Sequence, residues 1–86
     1  MSGFAAKVMH EDAGQLVYLV TGQRNALPVW CYALVPERSR VFFQQAIQQG
    51  RVNITQFGQI LFSGKGKNPP KEIEEIISVN YKLIIG

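Results

Sequence analysis

The stretch "NITQFGQILFSG", Asn53–Gly64, decides how the second half of this chain is built. From its left end it reads as a helix. Asn53 stands as an N-cap, and Gln56, three residues on, completes a capping box. Ile54, Phe57, Ile60 and Leu61 share one helical face, and Gly64 falls at the C′ position. Against that, Gly58 costs a helix interior about 1 kcal/mol relative to alanine. The run "QILFS" also has strand-like content, so a strand is the alternative. The capping signals favour the helix, and a helix is expected here.

What precedes this segment reads as strands. Phe4 to His10 suits a first strand, and Glu11-Asp12-Ala13-Gly14 a hairpin turn. "QLVYLVT", Gln15 to Thr21, is rich in β-branched and aromatic residues. "GQRNAL", Gly22 to Leu27, supplies glycine and asparagine for a second turn. "PVWCYALV", Pro28 to Val35, makes a third strand, and the short links favour an antiparallel meander. Alternation puts Trp30, Tyr32 and Leu34 on one face and Val29, Cys31, Ala33 and Val35 on the other. Both faces are therefore apolar, whereas a sheet with one wet face alternates apolar and polar residues.

Downstream, Pro36 opens a helix that Gly50 ends, with Phe42, Phe43, Ala46 and Ile47 as its apolar stripe. Asn68, Pro69 and Pro70 start another, whose opening turns carry Glu72, Glu74 and Glu75 to suit the helix dipole. Its buried stripe is read as Ile73, Ile76, Ile77 and Tyr81. The closing "LIIG" fits a helix end, an edge strand or a frayed tail. The expected architecture is α+β over residues 1–86 as one small domain: a three-stranded antiparallel β-meander within 4–35, then three helices within 36–82 packed on one face, βββααα. With helices on one face only, the other face needs a partner. From the aromatic strand ending in "LVP" through "FGQILFSGKG", the segment Trp30–Tyr81 resembles small bacterial proteins of no assigned activity. That resemblance supplies no site residues.

Composition narrows the functional classes. The chain has 86 residues, 47% of them hydrophobic, and one cysteine, so no intrachain disulfide can form. The N-terminal stretch lacks a signal peptide's apolar centre and no apolar run approaches a membrane span, so a cytoplasmic protein is expected. A phosphate-binding loop is not present: the spacing from Gly58 to Gly64 is wrong, and Gly66 follows Lys65 where a hydroxyl residue is required. Cys31 sits mid-strand and His10 beside a turn, which reads as structure rather than as a nucleophile and its base. No catalytic residue, metal site or cofactor is expected.

Two binding readings remain. One is a protein-binding or accessory module, self-associating as a homodimer through an apolar sheet face that presents Trp30, Tyr32 and Leu34. The other is anion or nucleic-acid binding by the acid-free segment 38–71. The net charge is +3, and this segment holds Arg38, Arg40, Arg51, Lys65, Lys67 and Lys71.

Overall fold

A computed structural model of the chain describes residues 3–85. Its element order is β1 (Ala5–Asp12), β2 (Gln15–Arg24), β3 (Leu27–Pro36), a 3₁₀ turn (Glu37–Ser39), α1 (Arg40–Gln49), a second 3₁₀ turn (Ile54–Gln56), β4 (Gln59–Lys65) and α2 (Lys71–Ile85). The strands form one antiparallel sheet in the order β1-β2-β3-β4. The class is α+β, but the expected βββααα order is wrong: there are four strands and two helices.

The error lies in Asn53–Gly64. The helix signals there produce a single turn, closed by Gln56 N–H to the Asn53 carbonyl at 3.1 Å and by Phe57 and Gly58 N–H to the Ile54 carbonyl, each at 2.9 Å. The Asn53 side chain makes no capping bond; it accepts from the Thr55 hydroxyl at 2.7 Å. The chain then straightens at Gly58. A Cβ at this position would overlap the Leu34 carbonyl oxygen, so only glycine lets the chain come this close to β3. From Gln59 onward the backbone bonds to the free edge of β3, with a register shift opposite Tyr32/Ala33. Pairing along β3 satisfies more backbone groups than a short isolated helix interrupted by glycine.

Both hairpins are tighter than the sequence suggests. β1 and β2 are joined through Ala13 and Gly14, β2 and β3 through Asn25 and Ala26, and all four have positive φ. Two-residue loops of that kind match the twist of the flanking strands. Gly22, expected in a turn, lies within β2, where the Phe4 ring packs against it.

The doubly apolar sheet is explained by where the helices go. Leu16, Tyr18, Val20, Ala33 and Val35 pack on one face with Phe43 and Ile47 of α1 and with Ile54. Val17, Trp30 and Tyr32 pack on the opposite face with Ile77 of α2. The helices therefore cover opposite faces, rather than both lying on one, and the two faces are two cores within the same chain. Within α1, Phe43 is buried but Phe42 is exposed. Gly50 ends α1 in the left-handed conformation, as its position suggested. α2 begins one or two residues later than expected: the Pro70 carbonyl, not the Asn68 side chain, meets its first free N–H groups, from Ile73 at 3.0 Å and Glu74 at 3.2 Å. "LIIG" continues the helix as far as Ile85; Gly86 lies outside the described residues.

Candidate functional site

Trp30 and Tyr32, expected to present an interface, are 6% and 1% exposed. They lie under α2, and Leu34 packs half-buried beside them. Gly64 faces Trp30 across the β3–β4 pair and leaves room for the indole, which a Cβ there would strike. The Tyr32 hydroxyl is raised above its ordinary value, by burial first and by the Glu74 carboxylate on α2 second. These three residues bind the protein's own helix, so the sheet face they occupy is not free for a second chain.

Apolar surface is instead exposed on the outside of α2. Ile76, Val79 and Leu83 are 41%, 79% and 81% exposed. Their spacing of three and then four residues places them along one flank of the helix. Ile73 and Ile77 line the inner side, and Tyr81 stacks on His10 of β1 with ring centroids 4.2 Å apart and 6° between planes. Ile76, read from sequence as part of the buried stripe, belongs to the outer flank. Val79 and Leu83 were not singled out, because the inner stripe already accounted for the helix. A second apolar stripe on the same helix was the available signal.

A different feature opens on the α1 side of the sheet. α1 stops at Gln49 and covers only the half of that face around Tyr18 and Val35. The chain returns past Val52, Asn53 and Ile54, leaving a cleft of about 420 Å³ over the other half. Val20, Cys31 and Ile54 line it as apolar groups, Ser63 and Asn53 as polar ones, and Arg24 and Lys65 as the cations. Burial pushes the Cys31 thiol up to about 11, and the nearby Arg24 charge offsets that only in part. Arg24 escaped the sequence reading because it lies upstream of the basic segment.

The six bases of that segment do not form one surface. Arg38 and Arg40 follow the C-terminal end of β3, whereas Lys65 pairs with Val29 near its start. Those ends are separated by on the order of 23 Å along the strand, at ~3.3 Å per residue. Arg40 is held by Glu11 at 3.0 Å and Glu37 at 3.6 Å. Arg51 follows α1, Lys67 lies in the β4–α2 connection, and Lys71 opens α2 beside its acids.

His10 and Cys31 are on opposite faces. A register shift in β1 between Val8 and His10 turns His10 towards α2, while Cys31 packs with the α1 core. Among the described residues, no three of His, Cys, Asp and Glu gather as a metal site would require. None of the described helices is long and apolar enough to cross a membrane. Compared with family models, characterised proteins and solved structures, the chain finds no match.

Proposed function

We propose that this chain is a small protein-binding module that pairs with a second copy of itself through the outer flank of α2. The observation that carries this reading is the exposed stripe Ile76, Val79 and Leu83. Three branched apolar side chains on one helix flank lose contact with water only if another surface covers them.

The stripe is self-complementary. Its spacing is nearly symmetric about Val79, so two antiparallel copies set Ile76 of each against Leu83 of the other, with Val79 close to the two-fold axis. This is the isologous contact expected of a C2 dimer, with the a/d spacing of a helix–helix seam. Charge agrees with that orientation. The first turns of α2 hold Glu72 and Glu74, Glu75 follows, and the last turn holds Lys82. Antiparallel pairing brings the acidic end of one helix beside the lysine end of the other and opposes their dipoles favourably.

Self-association was expected through the sheet face of Trp30, Tyr32 and Leu34; with those residues packed under α2, the outside of α2 is the surface that supports it instead. The alternative, anion or nucleic-acid binding through residues 38–71, has less support, because the bases are spread over both ends of the sheet and Arg40 is engaged with two carboxylates. Sedimentation equilibrium separates these readings. The native chain should show a concentration-dependent dimer, and Val79→Glu a monomer with unchanged far-UV circular dichroism. A native chain that stays monomeric at high concentration contradicts the reading.

A further inference from the structure

We propose that the cleft beside α1 is a binding site for a small amphipathic anion, an apolar body carrying one carboxylate. At about 420 Å³ it falls in the range of ligand pockets, roughly 300–1,000 Å³. Its floor is apolar, formed by Val20, Cys31 and Ile54, and suits a hydrocarbon or ring. Arg24 and Lys65 supply its charge, and neither makes an ion pair with a described residue. None of the chain's acidic residues lines the cleft. The thiol on the floor stays protonated at neutral pH, so it sets no negative charge against an entering anion. Ser63 and Asn53 add hydrogen-bonding groups to the same lining. An apolar floor with two cations and no carboxylate favours a ligand that is apolar at one end and anionic at the other.

The cleft exists because two local features coincide. Gly50 ends α1 before it reaches the β2–β3 hairpin end of the sheet. The chain then returns through Val52, Asn53 and the 3₁₀ turn at Ile54–Gln56, where Ile54 packs on the sheet face and forms one wall of the cleft.

Decanoate, titrated into the protein by isothermal calorimetry, is the direct probe. Decanol and decyltrimethylammonium serve as neutral and cationic controls. Decanoate should bind saturably at one site, with a Kd at least about tenfold below that of decanol, since a hydrogen bond to a charged group is worth about that factor or more. The cationic control should bind more weakly than either. Arg24→Glu with Lys65→Glu changes two exposed side chains and should weaken decanoate binding by about a hundredfold or more while leaving circular dichroism unchanged. Bound decanoate should also slow alkylation of Cys31. The variant Val79→Glu should bind decanoate as the native chain does, so failure of the dimer and failure of this site are read separately. Decanol binding as tightly as decanoate, an unchanged Kd in the double variant, or no saturable binding below about 1 mM would each overturn the proposal.

Discussion

Gly58 enters β4 against the carbonyl of Leu34, with no room there for a Cβ. Gly58→Ala should therefore destabilise the fold by about 2 kcal/mol or more, as overpacking against fixed backbone does, seen as a lower urea midpoint. Ala26 shows the opposite case. It holds φ +64 in the β2–β3 loop, a conformation that costs a residue with a Cβ. Ala26→Gly should raise stability by about 0.5–1 kcal/mol on the same measurement, the strain relieved being partly offset by the added chain entropy of glycine. Cys31 is tested by pH. With its thiol pushed up to about 11, it should alkylate at pH 8 roughly a hundredfold more slowly than an unburied thiol. A thiol raised on folding stabilises fully below its unfolded value, and that contribution falls as pH rises from about 8.5 through about 11. Cys31 sits mid-strand as read, but there it is half-buried rather than buried. The role of Gly58 was not legible: a glycine tolerated in a helix and a glycine required by a neighbouring carbonyl look alike until the neighbour is known.

The strands β1 to β3 were legible from their β-branched and aromatic content and the short polar links between them, and both helices from their apolar stripes and end residues. β4 was not, because its local signals belong to a helix turn and its strand character comes from pairing with β3, more than twenty residues earlier in the chain. Long-range pairing of this kind overrides capping preferences worth about 1 kcal/mol. The two edges of the sheet also differ. β1 carries Lys7, Glu11 and Asp12 and a register shift, all of which discourage further pairing. β4 has no charged residue from Gln59 to Gly64, and its own register shift is its main protection. At α2, the inner and outer stripes serve different partners. Ile77→Asp should unfold the chain, because Ile77 is 1% exposed beneath the sheet's second face. Leu83→Asp should leave the fold intact and remove the dimer, as judged by circular dichroism and sedimentation together.

For the whole molecule, the apolar content of β2 and β3 follows from one fact: the sheet is the middle layer, with α1 on one side and α2 on the other. The sequence shows plainly that both faces are apolar. It does not show that one short helix from each side of β4 covers each face, because the direction in which a chain leaves a strand end is set by packing and not by composition. Removing residues 71–86 should therefore expose Val17, Trp30 and Tyr32, red-shift the Trp30 emission and create binding sites for a naphthalene sulfonate dye. The candidate dimer surface was unreadable for the same reason, since an apolar stripe on α2 counts as outer only once the inner one is placed. The most direct test of that surface is a disulfide at the proposed axis. Val79→Cys in a Cys31→Ala background, oxidised in dilute solution, should form a covalent dimer, while Val41→Cys on exposed α1 should not. No cross-link at position 79, or equal cross-linking at 41, would contradict self-association through α2.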